Sequence, residues 1–290
     1  MIITLLKGGL GNQLYQYASA KALAEQNKTS IWLDLSLLNE DTPNTTKRNF
    51  ELHNFRLIEF KDVKVINGNN LKSPKKIIRK VAVKTLKKMI PEYVEDGNKF
   101  NADFFKSNRS IAIDGYFQSY KYFNFIRHQL FHDIQLVEPL DEGNITVLVS
   151  ILSCNSVCIH VRRGDYVSLE AANEFHGLCD LNYYMEAITI IHSKIENPHF
   201  FVFSDDIPWC RSQFNETDIS FVDVNNSDSA HFDLNLMKNC KHFIIANSSF
   251  SWWGAWLAEN KNKIVIAPKK WFAEEDSNIE DRIPSEWICI

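Results

Sequence analysis

The chain has 290 residues, of which 45% are hydrophobic and 12% aromatic, and its formal net charge at pH 7 is −4. This composition is sufficient for one or two packed domains and excludes a disordered chain. The slightly negative charge also argues against a general binder of polyanions, so any anion-binding site must be local.

The first elements predict a parallel sheet. A short apolar strand at residues 2–6 leads into a glycine-rich turn at 8–12, and apolar residues spaced to cover a sheet predict a helix at 14–26. A second strand is predicted at 30–35. This strand–helix–strand order is typical of a βαβ unit, whose strands are parallel. Residues 40–70 are polar, and we expect a long, partly irregular connection there.

Residues 72–90 predict a basic amphipathic helix. They carry several lysines and arginines and no acid, while apolar residues recur at helical spacing. Two interpretations are open. The helix could contact the anionic inner face of a membrane, or its charged face could simply be solvated while its apolar face packs on its own domain.

The alternation of strands and helices restarts in the second half of the chain. After a strand at 110–114, the segment 138–144 is the best linker candidate because it combines proline, glycine and charge. We therefore predict two α/β domains, 1–144 and 145–290. In the second domain we predict strands at 157–161, 200–203, 221–224, 242–246 and 264–267, and helices at 181–195, 232–240 and 249–259.

Targeting signals and cysteines bear on the cellular compartment. The apolar run at the N-terminus is too short for a secretory signal peptide, and no stretch approaches the roughly 18 apolar residues of a membrane span. The cysteines contain no Cys-x-x-Cys pair, which favours reduced, buried thiols over a disulfide framework. We expect a cytoplasmic protein, with peripheral membrane contact through 72–90 left open.

Two adjacent arginines follow the predicted strand at 157–161, in the segment His160-Val161-Arg162-Arg163-Gly164-Asp165-Tyr166. Arginine keeps its charge and offers a planar, bidentate fork that suits phosphate. Gly164 allows a close backbone approach, and Asp165 could orient a guanidinium or bind a hydroxyl. Strand ends of open α/β sheets are also where ligands usually bind. The alternative is a structural Arg–Asp salt-bridge cluster.

A second candidate site is the turn Lys7-Gly8-Gly9-Leu10-Gly11-Asn12-Gln13. A glycine-rich turn between a strand and a helix suits an anion or a sugar. It is neither a dinucleotide fingerprint, because Leu14 occupies the position of the third glycine, nor a P-loop. Asn12 and Gln13 could bind hydroxyl groups, or the segment could be a tight turn with an Asn cap.

The third candidate is Asn247-Ser248-Ser249-Phe250-Ser251, between a strand and a helix. Small hydroxyl residues at a helix N-terminus offer N–H and O–H donors to phosphate, although an ordinary Ser cap would have the same sequence. We predict core packing for the following tryptophans, Trp252, Trp253 and Trp256. No metal-binding motif occurs, and the adjacent Asp205 and Asp206 should point to opposite faces of a strand.

Together these segments resemble the bacterial α-1,2-fucosyltransferases of glycosyltransferase family 11. The matching segments are in order along the chain. They are Gly8-Gly9-Leu10-Gly11-Asn12-Gln13, Gly115-Tyr116-Phe117-Gln118-Ser119, the segment from His160 to Tyr166, Ser204-Asp205-Asp206 with Trp209, and Asn247-Ser248-Ser249-Phe250-Ser251-Trp252-Trp253-Gly254. No motif can be matched between residues 47 and 103.

The resemblance implies a GT-B fold, with two Rossmann-like halves facing a cleft and GDP-fucose held mainly by the C-terminal half. It implies transfer of L-fucose to the 2-hydroxyl of a terminal galactose with inversion and without a metal or other cofactor. The acceptor glycan, in an O-antigen, a capsule or a related structure, is left open.

The resemblance also implies roles for individual residues. Arg162 would contact the β-phosphate with His160 beside it, Asp233 would bind the guanosine, and Asn12 would lie near the reaction centre. Asp165, His160 or another acid could serve as the base. The remaining expected donor contacts are Gly9, Gly11, Arg163, Ser248, Ser249 and Phe250.

Two alternatives to α-1,2-fucosyl transfer stay open. A fucosyltransferase of another linkage, α-1,6 or protein O-linked, would share the Arg and Ser-Phe segments. A non-catalytic protein that binds a sugar or nucleotide is disfavoured by the paired arginines, because binding a neutral sugar in its ground state does not require such charge.

Overall fold

The computed structural model describes residues 1–39, 48–66, 89–97, 99–164, 179–272 and 279–290. The chain forms two compact units, Met1–Val137 and Glu138–Ile290. Each contains a parallel sheet with helices, so the predicted α/β class with two Rossmann-like halves is confirmed. The two units divide between residues 137 and 138, where the segment 138–144 expected as the linker begins, and residue 144 lies inside a helix, Glu142–Leu152.

The first unit is built around an apolar strand. Its sheet has the strand order β3-β2-β1-β5-β4, with every pair parallel. The elements are β1 (Ile2–Leu5), α1 (Leu10–Asn27), β2 (Ile31–Asp34), β3 (Val63–Ile66), β4 (Glu92–Val94), β5 (Ile111–Asp114) and α2 (Arg127–Asp133). Every residue of β1 is buried, as expected for the central strand of a sheet covered on both faces.

Helix α1 begins earlier than predicted. Gly9 is its N-cap, so the glycine-rich turn and the first helical turn are continuous. The helix ends at Lys28, whose left-handed backbone (φ 49°) lets its N–H reach the last carbonyl groups of the helix.

The second unit has the strand order β11-β10-β9-β6-β7-β8, again with every pair parallel. Its elements are α3 (Glu142–Leu152), β6 (Asn155–Val161), α4 (Leu181–Lys194), β7 (Pro198–Ser204), α5 (Ile207–Gln213), β8 (Ile219–Phe221), α6 (Ala230–Lys238), β9 (His242–Ile244), α7 (Ser249–Leu257), β10 (Val265–Ala267), α8 (Ile279–Arg282) and β11 (Ile288–Cys289).

The side chains of β6 point alternately to the two faces of the sheet. Val157, Ile159 and Val161 pack with Tyr184 and Ile191 of α4 in one hydrophobic core. Because side chains alternate along a strand, Cys158 and His160 point to the opposite face. This alternation decides which functional side chains can meet beyond the end of the strand.

Several elements differ from the sequence prediction. Strand β3 lies where an irregular connection was expected, because four residues of Val-Lys-Val-Ile suffice to pair with β2. The linker segment becomes helical from Glu142, where Asp141 accepts a hydrogen bond from the N–H of Asn144 and caps α3. Strand β8 lies slightly before the predicted 221–224.

Some predictions fall outside the described residues. These are Asp165 and most of the basic helix predicted at 72–90. Within the described ranges, no helix is both long enough and apolar enough to span a membrane. All six cysteines are described, and none forms a disulfide.

Candidate active site

Each sheet has a point where the direction of chain progression reverses, and the candidate residues lie there. In the second unit the chain runs from β6 to β7 and β8 on one side and then to β9, β10 and β11 on the other. Ligands of open α/β sheets bind beyond the carboxyl ends of the strands at such a reversal. Here the strands are β6, which leads to Arg162, and β9, which leads to Ser248 and α7.

Arg162 is held at the end of β6 by a carboxylate from the neighbouring strand. Its Nη1 lies 2.6 Å from Oδ2 of Asp205, and the other oxygen of Asp205 accepts the backbone N–H of Arg163 at 2.8 Å. Val161 pairs with Ser204 in the sheet register, which brings the residues after each strand together. Both side chains are partly exposed. The pair therefore fixes the guanidinium while leaving part of it accessible.

Arg163 makes different contacts. Its Nε donates to Oδ2 of Asp206 at 3.2 Å, and its guanidinium stacks on the ring of Trp209 with 3.9 Å to the centroid. Asp206 also caps α5 by accepting the N–H of Trp209. The two aspartates thus have separate partners, and both lie beyond the last residue of β7. The contacts of Arg163 attach the loop after β6 to α5.

Gly164 allows the backbone to lie close to the carboxylate of Asp205. A Cβ atom at this position would lie 2.7 Å from Oδ2 of Asp205, which is the oxygen that pairs with Arg162. The glycine therefore permits the loop to pass directly over the carboxylate that supports Arg162. The glycine was expected to allow a ligand to approach, and the structure shows an internal reason for it.

His160 is buried and neutral at the end of β6. Burial lowers the pKa of His160 to about 4, with Arg162 acting in the same direction and Asp205 opposing it. Its Nδ1 has no hydrogen-bond partner among the described residues, and its ring lies 5.6 Å from that of Phe250, centroid to centroid. A ring with this pKa is a weak base but can exchange a hydrogen bond with a ligand.

The N-terminus of α7 faces the same strand ends. Ser248 caps the helix by accepting the N–H of Phe250 at 3.3 Å, so Ser248, Ser249 and Phe250 form its first turn. The preceding Asn247 is tied down because its Nδ2 donates to the carbonyl of Trp271. The core role predicted for the tryptophans is confirmed, since Trp252 and Trp253 are fully buried and Trp256 nearly so.

Asp233 lies in the first turn of α6, the helix that leads into β9. Its Oδ1 accepts a hydrogen bond of 2.7 Å from Nδ2 of Asn225. Burial raises the pKa of Asp233 to about 6, and the hydrogen bond from Asn225 opposes this rise. The carboxylate is therefore largely ionised at neutral pH and titrates just below it.

The first unit presents a second reversal point, between β1 and β5. Gly8 has a left-handed backbone (φ +77°), and Asn12 at the start of α1 accepts a hydrogen bond of 2.7 Å from Nε2 of Gln118, beyond β5. A Cβ at Gly9 would meet no atom of the described residues within 4 Å. Gly11 is buried within α1.

Gln13 does not fit its suggested role in binding hydroxyl groups. It is fully buried, and its Nε2 donates to the carbonyl groups of Gly8 and Asn49 at 2.9 and 2.8 Å. Its Oε1 accepts the N–H of Glu51. Gln13 therefore fixes the glycine-rich turn against the 49–51 segment.

We expect Gly8→Ala to impair the site beyond its effect on stability. The left-handed backbone costs a residue with a Cβ about 1–2 kcal/mol, and this Cβ would lie 2.5 Å from Nδ2 of Asn12. Gly97→Ala is a matched control, because Gly97 has φ +68° and a Cβ there would meet no atom within 4 Å in the described part of the chain. Urea unfolding should show similar destabilisation of both variants, whereas only Gly8→Ala should lose glycosyl transfer. Equal activity of the two variants would contradict a role for Asn12.

Several residues at this reversal point were not predicted from the sequence. Lys7 pairs with Asp114 at the end of β5, Nζ to Oδ1 2.8 Å, and lies over the ring of Tyr116. Glu95 follows β4 and accepts the backbone N–H groups of Tyr116 and Phe117 at 2.7 and 2.8 Å. No signal in the sequence marks Glu95, because its partners are backbone groups from a distant segment.

Comparison with known proteins assigns the family. The family described as Glycosyl transferase family 11 matches residues 1–290, the whole chain. The chain belongs to glycosyltransferase family 11. The family resemblance inferred from the motifs is therefore confirmed, and the protein is a glycosyltransferase.

Relatives of this family 11 enzyme match over all or part of its length. An α-1,2-colitosyltransferase of Escherichia coli is 35% identical, with 100% of this chain and 99% of the relative covered. The O-antigen biosynthesis glycosyltransferase WbnK of Escherichia coli is 33% identical, with 92% and 94% covered. The galactoside 2-α-L-fucosyltransferase SEC1 of Bos taurus is 28% identical, with 51% and 42% covered.

The predicted site residues of the family 11 enzyme fall into separate groups. His160, Arg162 and Phe250 lie together at the β6–β9 reversal, with Ser248 and Ser249 in the same turn as Phe250. Asn12, Gly9 and Gly11 lie in the first unit. Within the described ranges, no group of three or more His, Cys, Asp or Glu side chains is arranged to hold a metal ion.

Proposed function

We propose that this enzyme transfers L-fucose from GDP-β-L-fucose to the 2-hydroxyl of a terminal galactose, with inversion at the anomeric carbon. The observation that carries the proposal is the 35% identity, over the whole chain, to a relative whose name specifies an α-1,2 linkage. The more distant SEC1 relative is named as a galactoside 2-α-L-fucosyltransferase. The name of WbnK supports an acceptor glycan of the O-antigen type.

The residues around β6 suit a leaving diphosphate. As the sugar departs with oxocarbenium character, negative charge builds on the β-phosphate. Arg162 can contact two phosphate oxygens with its fork, and Asp205 holds that fork in place. The first turn of α7, at Ser248, Ser249 and Phe250, adds N–H donors and the positive end of a helix dipole. We therefore propose that no metal ion is required to neutralise the leaving group.

The remaining donor contacts follow from the family resemblance. We assign the guanosine to Asp233, and we assign Asn12, with the turn at Gly9 and Gly11, to the neighbourhood of the reaction centre. Arg163 has Asp206 and Trp209 as partners, which favours a supporting role over direct donor contact.

We assign the base for the acceptor hydroxyl to Asp165 rather than His160. The low pKa of His160, about 4, makes it a poor acceptor of that proton at neutral pH. Asp165→Asn should lower kcat by about 10²-fold, the lower end of the usual contribution of a general base. The rate should be measured with saturating donor, and His160→Gln serves as the comparison. Full activity of Asp165→Asn would exclude Asp165 as the base.

Transfer of colitose is the second candidate function, because the 35% identical relative bears that name. Colitose is L-fucose without its 3-hydroxyl. A site that hydrogen-bonds this hydroxyl would reject colitose strongly, by as much as about 10⁴-fold, whereas an apolar site would distinguish the two sugars only weakly. The ratio of kcat/KM for GDP-fucose and GDP-colitose therefore decides between the donors, and we expect it to favour GDP-fucose.

The deciding experiment combines the purified enzyme with GDP-fucose and lactose or N-acetyllactosamine in EDTA. GDP release and the NMR linkage of the product are followed together. We expect a 2-linked α-fucosyl galactoside to form despite the EDTA. Product with an α-1,6 linkage would assign another transfer reaction, and binding of GDP-fucose without turnover on any β-galactoside would support a non-catalytic protein. Activity that returns only with added divalent cation would contradict the metal-independent proposal.

A further inference from the structure

A chain of polar side chains lies behind Asp233 and joins three segments of the second unit. Asp141 caps α3, Asn144 lies in its first turn, and Asn225 precedes α6. Nδ2 of Asn144 donates to Oδ1 of Asp141 at 3.0 Å, and Nδ2 of Asn225 donates to Oδ1 of Asp233 at 2.7 Å. The two asparagines therefore connect the cap of one helix to the first-turn carboxylate of another.

The two asparagine amides also bond to each other. Nδ2 of Asn144 donates to Oδ1 of Asn225 at 3.0 Å, and Nδ2 of Asn225 donates to Oδ1 of Asn144 at 2.8 Å. Each amide thus uses both of its N–H groups and its oxygen. Rotating either amide by half a turn would oppose two donors, so the network fixes the orientation of both. Asn144 is fully buried, where an unsatisfied amide would be costly.

The network leaves one side of Asp233 available. Asn225 is the residue that donates to this carboxylate in the described part of the chain, and it does so through Oδ1. Asp233 is partly exposed, and among the described residues the hydrogen bond to its carboxylate is made to Oδ1, which leaves Oδ2 as a further acceptor. A carboxylate held by one oxygen and open at the other can accept further N–H donors in a fixed direction.

We propose that Asn225, held by Asn144, is a positioning residue that fixes the carboxylate of Asp233 for a nucleobase presenting two adjacent N–H donors. Guanine presents this pattern through its ring N–H and its exocyclic amino group. The inference rests on the proposed GDP-sugar donor and assigns the selection of its base to two asparagines that no motif identified. A network that merely attached α3 to α6 would have no effect on base selectivity or on the pH dependence of binding.

The surroundings of Asp233 determine how its titration can be observed. From β6, Cys158 stays protonated because burial raises its thiol pKa well above the usual value, and the pKa of His160 is about 4. From α3, Asp141 has its pKa lowered by the N–H of Asn144. Other titratable or charged residues on the helices packed here are Glu142, the first residue of α3, and His231 and Lys238 of α6, while α7 carries none. His231→Gln is therefore a necessary control.

Binding of GDP-fucose without acceptor is measured by calorimetry from pH 5 to 8. This ligand is chosen because its diphosphate is esterified at both ends and takes up no proton in that range. The wild-type affinity should fall as the pH drops through the pKa of Asp233, about 6 in the free protein. Removing a hydrogen-bond donor to the carboxylate raises the pKa of Asp233. Asn225→Ala should therefore shift the fall in GDP-fucose affinity to higher pH.

At pH 7, Asn225→Ala should lose about tenfold in affinity, the lower end for one hydrogen bond to a charged group. Its preference for GDP over ADP should narrow as well. Asn144→Ala should give a smaller shift, because Asn225 keeps its donor but loses its orientation. Asn239→Ala is the matched control, since Asn239 follows the C-terminal end of α6 and its amide donates to the backbone carbonyl of Asn235.

The outcomes separate the inference from the proposed function. If the wild type binds GDP-fucose but Asn225→Ala keeps its pH midpoint and its GDP-to-ADP ratio, the positioning role is wrong. If His231→Gln moves the midpoint and Asn225→Ala does not, the titrating group is His231. If the wild type binds no GDP-fucose at any pH, the proposed function fails. Asn225 is only partly buried, so its variant should fold even where Asn144→Ala does not.

Discussion

Arg162→Lys is expected to be nearly as inactive as Arg162→Ala. Lysine keeps the positive charge but loses the planar fork, and only the fork can hold Asp205 and two phosphate oxygens in one geometry. By analogy with the removal of a principal donor to a developing oxyanion, either variant should lose about 3–4 kcal/mol of transition-state stabilisation, on the order of 10²–10³ in kcat. The measurement is steady-state GDP release at saturating acceptor.

A matched control is available in Arg211→Lys. Arg211 also lies over an aromatic ring, that of Phe221, and pairs with the exposed carboxylate of Asp223 at 3.8 Å. Exposed pairs of this kind contribute little, so activity should stay close to that of the wild type. Near-normal turnover by Arg162→Lys would show that charge alone suffices and would contradict the bidentate role.

The sequence indicated that the strand-end arginines form a candidate anion site, because of the residues that precede them. Two guanidinium groups directly after an apolar strand are costly unless they meet partners or an anion. The sequence alone could not show which arginine faces a ligand and which has a supporting role, since both have the same chemistry. The separation depends on the register of β6 and β7, in which Val161 pairs with Ser204 and Arg162 therefore meets Asp205.

The fold could be predicted from the sequence where hydrophobic patterns are long. The prediction failed where the elements are short. The central strands β1 and β6 consist mostly of apolar residues and are buried along nearly their whole length, as strands covered on both faces are. Strand β4 has only three residues, Glu92–Val94, and two of them are exposed, so its pattern resembles a loop. Its importance comes from Glu95, which follows it and binds backbone N–H groups beyond β5.

The asparagine network could not be predicted from the sequence for a related reason. Asn144 was assigned to a linker because its neighbours include glycine and several charges. Its partner Asn225 is distant in sequence, and asparagine is common in turns. Only the folded chain brings the two amides together. Their reciprocal hydrogen bonds distinguish them from the other asparagines of this Asn-rich sequence.

Trp252→Ala is expected to destabilise the second unit by about 3–5 kcal/mol, the usual range for deleting a buried tryptophan. The indole is fully buried, stacks on Trp256 with ring centroids 5.6 Å apart, and meets Trp253 edge-on at 5.2 Å. Its Nε1 donates to the carbonyl of Arg282 at 2.9 Å. Urea unfolding followed by circular dichroism should show a lower midpoint for the transition of this unit.

Trp252→Phe separates packing from the hydrogen bond. Phenylalanine keeps much of the aromatic packing and loses the indole N–H, so it should cost about 1–3 kcal/mol, the range for an unsatisfied buried group. Loss of activity should follow the same order, because Trp252 lies in the helix whose first turn carries Ser249 and Phe250. A Trp252→Ala protein with unchanged stability would contradict the core assignment. One with lower stability but full activity below its unfolding transition would show that the first turn of α7 keeps its position without the tryptophan behind it.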